Sequence, residues 1–171
     1  MTRPTREMTT ERLLLRAPRA SDLSAYRGHY TSARSRFQGG PYSAYACFEK
    51  FASMIGHWDL RGFGRYVIDL DGDGIGHVGP LQIGDDEAPE LTWALWSEAV
   101  EGNGYATEAA RAVACHLLAD CDWDGVDILI DPANAPSARV ALRIGAAMTE
   151  KTAPNWCKGA NVYRLTAEVL A

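Results

Sequence analysis

Cysteine is sparse and unclustered in this 171-residue sequence: Cys47, Cys115, Cys121 and Cys157 form no CxxC pair, and Cys115 and Cys121 fall on or beside a helix-like segment. Such spacing argues against a zinc site or a disulfide framework, and reduced thiols in a cytoplasmic protein are the expectation. Positive charge is in deficit too, with 17 Lys and Arg against 22 Asp and Glu and a formal charge of -5. Nucleic acid and anionic membranes call for a broad basic field, so neither is an expected partner. No apolar run approaches the roughly 20 residues of a membrane span, and the polar opening MTRPTREMTTER lacks the apolar segment of a secretion signal. Internal repeats and low-complexity tracts are missing, and His29, His57, His77 and His116 lack HExxH-type spacing, so neither a solenoid nor a catalytic metal is expected.

What is present is an ordinary globular composition, 47% hydrophobic and 23% charged. The length suits one domain with a sizeable core, and the expected organisation is a flexible N-terminus over 1–10 and a single domain over 11–171. Arg12 to Arg16 reads as a first strand, followed by a helix capped near Ser21-Asp22 that carries Leu23, Tyr26 and Tyr30 on one face. After the loop Gln38-Gly-Gly-Pro41, Phe48, Phe51, Ala52, Ile55 and Trp58 recur at helical spacing. Strand-like runs at 65–70 and 75–83 flank Asp71-Gly-Asp-Gly74, a hairpin signal, and a fourth strand covers Glu90 to Trp96. The period then changes over Gly104 to Leu118, where Ala106, Ala109, Ala110, Val113 and Leu117 share a helical face. A fifth strand at Val126–Ile130, a helix with Ser137, Val140, Ala141 and Ile144 ending at Gly145, and strands at 146–152 and 160–169 complete an α/β order β-α-α-β-β-β-α-β-α-β-β.

The most informative stretch runs from Trp96 to Glu108, where a strand passes through Glu101-Gly-Asn-Gly104 directly into a helix. Gly102 and Gly104 permit a tight turn and close approach of a ligand, and the first-turn N–H groups of the helix point outward at its positive end. A pyrophosphate fits such a site. The same glycines also suit a plain strand-to-helix turn, and that alternative stays open. A dinucleotide fingerprint fits less well, since the third glycine is absent and antiparallel strands precede the motif.

Together with Thr10-Glu-Arg-Leu-Leu-Leu-Arg16, Pro89-Glu-Leu-Thr-Trp93, Gly104-Tyr-Ala-Thr-Glu-Ala109, and Asn134-Ala-Pro-Ser137 with Ala141 and Gly145, this motif resembles the GCN5-related N-acetyltransferases (GNAT). Within them the chain is most similar to the ribosomal-protein-type (RimJ/RimL-like) group. The resemblance implies an acyl-CoA N-acyltransferase fold whose mixed, mostly antiparallel sheet splays between the fourth and fifth strands and is flanked by helices. It implies acetyl-CoA as cosubstrate and an amine acceptor on a protein, peptide or small molecule, attacked directly in a ternary complex. Leu95, Trp96 and Ser97 would bind the pantetheine arm, and Glu101, Gly102, Asn103, Gly104, Tyr105, Ala106 and Thr107 the pyrophosphate. Asn134 caps a helix or touches the pantetheine; Ser137 either assists the departing thiolate or bonds nearby backbone; Glu90 is a candidate base or a strand-edge charge. Tyr163 is an alternative acid, and a backbone N–H near Trp96 the expected oxyanion donor. The chain departs from the family pattern at Glu101, where Gln or Arg is usual, at Asn103, often basic, and at Gly145-Ala146 in place of Gly-Phe.

Two rival readings belong to other classes: a non-catalytic acyl-CoA-binding or regulatory module, and a calcium-binding interaction domain suggested by Asp69, Asp71 and Asp73. The calcium pattern fails at its twelfth position, which is Pro80, so no metal ligand is assigned. A monomer or a homodimer is expected.

Overall fold

The computed structural model describes residues 2–169; Met1, Leu170 and Ala171, which the expected boundaries include, lie outside the described residues. Eight strands form one sheet: β1 (Glu7–Thr9), β2 (Leu14–Arg16), β3 (Tyr66–Leu70), β4 (Asp73–Leu81), β5 (Glu90–Leu95), β6 (Gly125–Ile130), β7 (Ala147–Met148) and β8 (Asn161–Thr166). Their spatial order is β1-β2-β3-β4-β5-β6-β8-β7, and every pairing is antiparallel except β5 with β6. Among the described residues four α-helices accompany them, besides shorter 3-10 and π segments: α1 (Leu23–Tyr30), α2 (Ala44–Arg61), α3 (Tyr105–Cys115) and α4 (Ala135–Arg143). No helix of the described residues is long and apolar enough to cross a membrane.

Strand pairing orders the segment expected to be frayed. β1 pairs Glu7 with Arg16 and Thr9 with Leu14, so the expected first strand is the second and the fourth and fifth expected strands are β5 and β6. Thr10 N–H donates to Leu13 O and Ala17 N–H to Arg6 O, closing this hairpin over what would otherwise be an open edge. At the other end the strand expected over 146–152 shrinks to β7, and β8 stops at Thr166. Pro154, which has no N–H to donate, stands in the connection between them. Asp71 and Gly72, both with positive φ, make the two-residue turn from β3 to β4.

The sheet separates two cores. Leu15, Tyr66, Ile68, Val78 and Leu91 face α3, whose Ala109, Ala110, Val113 and Ala114 are fully buried, so small residues let the helix lie close to the strands. Tyr26, Tyr30, Phe51, Met54, Val67 and Trp96 form the second core beneath α1 and α2. Residues directly opposite in antiparallel strands share a face. The register therefore sets Val67, His77 and Ala94 in one row on the α1/α2 side, Gly79 and Thr92 in the next, and Leu81 and Glu90 in a third.

Candidate active site

β5 and β6 are joined at one pair only, Glu90 with Asp127. Beyond it the strands diverge, which is the expected splay. Trp96 N–H donates to Ile75 O at 2.8 Å, so the even-numbered residues of β5 turn their N–H groups toward β4. The N–H of Trp96 itself is therefore taken by β4, and an oxyanion donor near Trp96 would have to come from a neighbouring residue of β5. By the same alternation the N–H groups of Trp93 and Leu95 turn to the open side.

Past β5, Ser97 Oγ accepts from Ala99 N–H at 3.2 Å and starts the short turn Glu98–Val100. Gly102 (φ 77) and Gly104 (φ 82) then swing the chain into α3 in a conformation that side chains strain. A Cβ on Gly102 would meet nothing within 4 Å, so its outer side is open to a ligand. Among the described residues no protein acceptor takes the N–H groups of Gly102 to Thr107, and these collect at the positive end of α3. A pyrophosphate matches this set of donors.

Two arginines that sequence reasoning left out of the site stand beside this loop. Arg34, in the 3-10 turn Ala33–Gln38, pairs with Glu101 and lies 3.8 Å from Glu98. It also donates to Trp96 O at 2.9 Å and to Leu95 O at 3.4 Å. Glu101 is thus a neutralised carboxylate rather than a bare one. Arg12 stacks over the Tyr105 ring, donates to Asn103 O at 3.0 Å and pairs with Glu108 at 2.7 Å, while Thr10 Oγ1 donates to the same carboxylate. Asn103 is exposed and folds back on its own loop, donating to Val100 O and Glu101 O. The Thr10–Arg12 and Glu108 segments, distant in sequence, therefore meet to hold the loop.

On the α1/α2 side the splay opens into a cavity of about 680 Å³. Glu90, Asn134 and Ser137 all line it; Leu95 to Thr107 do not, and form a separate stretch beyond β5. Asn134 Oδ1 accepts from Ser137 N–H at 3.3 Å, so Asn134 is the cap of α4. No described residue accepts from or donates to Ser137 Oγ, which leaves the hydroxyl available to the cavity. Glu90 is only 8% exposed, and burial pushes its carboxyl up to about 7, with Glu87 adding to the rise and Arg65 opposing it. Tyr163 packs in the α3-side core and does not line the cavity, as an aromatic packing group would.

His77 also lines the cavity, and sequence reasoning had set it aside. Trp96 Nε1–H donates to His77 Nδ1 at 3.1 Å. An indole N–H can only donate, so Nδ1 accepts and the imidazole proton sits on Nε2. Burial holds the ring neutral, reinforced by the charges of Arg65 and His29. In the acidic hairpin of Asp69, Asp71 and Asp73, Asp69 accepts from Arg16 at 2.7 Å and from Gly72 N–H at 2.8 Å.

The family model described as acetyltransferase (GNAT) domain matches residues 12–147. The uncharacterized protein YkkB of Bacillus subtilis (strain 168) is 33% identical over 116 residues, which cover 63% of this chain and 66% of that protein, just under two thirds of its length. Among solved structures, an acetyltransferase from Agrobacterium tumefaciens str. C58 is 34% identical, with a TM-score of 0.87 over 96% of each chain. RimL, a ribosomal L7/L12 α-N-protein acetyltransferase solved in complex with coenzyme A, is 19% identical, with a TM-score of 0.77 over 95% of this chain and 98% of that one. At that identity the likeness is one of fold.

Proposed function

Because the chain belongs to the GNAT acetyltransferase family, we propose that it transfers the acetyl group of acetyl-CoA to an amine by direct attack in a ternary complex. The observation that carries this reading is the continuity of the open β5 edge with the unpartnered N–H groups of Gly102 to Thr107 at the start of α3. A long ligand with an anionic middle fits along that path, and the coenzyme A in the RimL structure is of that kind. Bound there, acetyl-CoA supplies an activated acyl carbon and a thiolate leaving group.

The chain's own residues divide the remaining work. N–H groups of the loop and α3 receive the pyrophosphate, with Arg34 offsetting the charge of Glu101. Leu95 and Ser97 border the pantetheine path, and the outward N–H groups of Trp93 and Leu95 are the donors for the thioester oxygen. Glu90, whose carboxyl titrates near neutrality, takes the proton the amine loses as its nitrogen bonds to the acyl carbon. Ser137 Oγ donates to the sulfur as the carbon–sulfur bond breaks.

Thermal unfolding with acetyl-CoA, followed by turnover on a panel of amines, tests the proposal. A ligand selective for the folded state at 100 times its Kd stabilises by about 2.7 kcal/mol, a readily measured rise in Tm. Gly104→Val, checked for folding by circular dichroism, loses that rise. Absence of any rise with wild type at millimolar ligand overturns the reading, and binding without turnover on any amine favours a non-catalytic acyl-CoA module.

A further inference from the structure

The cavity beneath α1 and α2 holds more polar chemistry than acetyl transfer requires. Arg65 precedes β3 and lines the cavity half-buried, and among the described residues its guanidinium has no hydrogen-bond or ion-pair partner. Thr92 Oγ1 is a buried hydroxyl with no partner at all. His77 presents an Nε2–H for which no described residue is an acceptor. Leaving a shut-off hydroxyl such as Thr92 Oγ1 without a partner is costly, and the guanidinium and the imidazole N–H beside it reach the open cavity with no acceptor among the described residues.

The register brings these groups together. Arg65 is two residues before Val67 and so falls on the same face, beside the row of Gly79 and Thr92. Gly79 contributes no side chain to that row, and a Cβ there would lie 2.8 Å from Arg65 Cα and 2.7 Å from Gly64 O. Its φ of 146° also disfavours any other residue. A glycine floor therefore lies between Arg65 and Thr92, with His77 one row to one side and Glu90 one row to the other. Rows two residues apart along a strand are roughly 7 Å apart. On this sheet wall one positive and two neutral donors thus face a space next to Glu90, while Glu49, Lys50 and Asp131 line the same cavity from α2 and the end of β6.

We infer that the acceptor is a small amine bearing its own carboxylate, of the amino acid class, with Arg65, His77 and Thr92 receiving the carboxylate while Glu90 faces the amine. This rests on the transferase reading above and narrows its acceptor. A guanidinium with neighbouring N–H and O–H donors matches the two oxygens of a carboxylate. A phosphate would bring a second negative charge toward Glu90, one row away. A peptide N-terminus has an amide carbonyl where this wall offers a cation, and would leave Arg65 unpaired.

The test uses wild type, Arg65→Gln and Arg65→Lys with acetyl-CoA and matched pairs of acceptors: glycine and glycinamide, β-alanine and β-alaninamide, phenylalanine and phenylalaninamide. The amide's amine is the less basic, so simple chemistry favours the amide. Wild type is expected to show a kcat/KM at least about tenfold higher for the acid of the preferred pair, since a charged hydrogen-bonded contact is worth that much. Arg65→Gln brings the acid to within a few-fold of its amide, mostly through KM, and Arg65→Lys restores part of the difference. In all three proteins acetyl-CoA still raises Tm, which excludes misfolding as the cause. Wild type that turns over amides or N-terminal peptides as fast as acids, or an Arg65→Gln loss equal for acid and amide, overturns this inference alone. No turnover of any amine despite acetyl-CoA binding overturns the inference and the transferase reading together.

Discussion

One face of one sheet carries two clusters of polar side chains, and they are built on opposite terms. Toward β2, Arg16 is 3% exposed and fully engaged, donating to both oxygens of Asp22 at 2.8 and 2.9 Å and to Asp69 at 2.7 Å. Toward β5, Arg65, His77, Thr92 and Glu90 share a cavity wall and leave a guanidinium, an imidazole N–H and a hydroxyl without partners among the described residues. The first group is closed and ties β2, β3 and the turn before α1 together. The second is open, and its unmet valences point to a ligand. Satisfaction, rather than burial or charge, separates a structural cluster from a functional one.

The largest expected effect comes from opening the closed cluster. Arg16→Met strands two buried carboxylates and is expected to cost about 3–5 kcal/mol in denaturant unfolding. Arg65→Gln removes a guanidinium with no protein partner and should change stability by less than about 1 kcal/mol. Similar losses from both substitutions would break the comparison. Burial alone would raise the Asp22 carboxyl, but hydrogen bonds from Arg16 and from Arg19 N–H outweigh it and hold the group below its usual range. That stabilisation is present above the unfolded carboxyl pKa and is lost as pH falls through the folded one.

Glu90 should respond with the opposite slope. Its carboxyl is raised from 4.5 to about 7, so folding favours its protonated form and wild type loses stability as pH climbs through that interval. Glu90→Gln should therefore gain on wild type by on the order of 3 kcal/mol between pH 4 and pH 8. The same substitution should lower kcat about a hundredfold at pH 7.5 and abolish the ascending limb of the rate profile with its apparent pKa near 7. Superimposable rate profiles for the two proteins would remove Glu90 from proton transfer.

The contrast also marks what was legible in the sequence. Local patterns survive well: the Asp71-Gly72 turn, the alanine face of α3 and the glycine loop into it all lie where periodicity and turn chemistry put them. So does the splay, which came from family resemblance rather than spacing. Arg34, Arg65 and His77 escaped because nothing local distinguishes them; their roles arise from strand register and from a 3-10 turn meeting a loop more than sixty positions away. The sequence places the oxyanion donor only near Trp96, because which N–H groups of β5 are open depends on its register with β4, and a shift of one residue reverses them. The N-terminal hairpin was missed because three-residue strands carry too little pattern to read.

Ser137 should have a smaller effect than Glu90. Asn134 already caps α4, so Ser137→Ala removes a hydroxyl that no backbone group uses. Turnover is expected to fall about tenfold to a hundredfold while Kd for acetyl-CoA stays within about threefold, the pattern of a group that acts on the leaving thiolate. A drop in helix stability with unchanged turnover would return Ser137 to the structural group.

The smallest effect is expected at Glu101, where the two kinds of cluster meet. Its carboxylate borders the N–H groups assigned to the pyrophosphate, so a bare charge there would repel the ligand strongly. Arg34 already pairs with it and also holds the Leu95 and Trp96 carbonyls, which offsets the charge of Glu101. Glu101→Gln should therefore tighten acetyl-CoA binding by only about twofold to fivefold at low salt. Arg34→Gln, which uncovers the carboxylate, should weaken binding by about tenfold, and the double substitution should recover much of that loss. Raising ionic strength shortens the Debye length to about 3 Å at 1 M and should shrink all three differences. Titration calorimetry across salt decides the matter. Additive effects would make Arg34 an independent ligand contact, whereas weaker binding by Glu101→Gln alone would mean that Glu101 holds Arg34 where the phosphates need it.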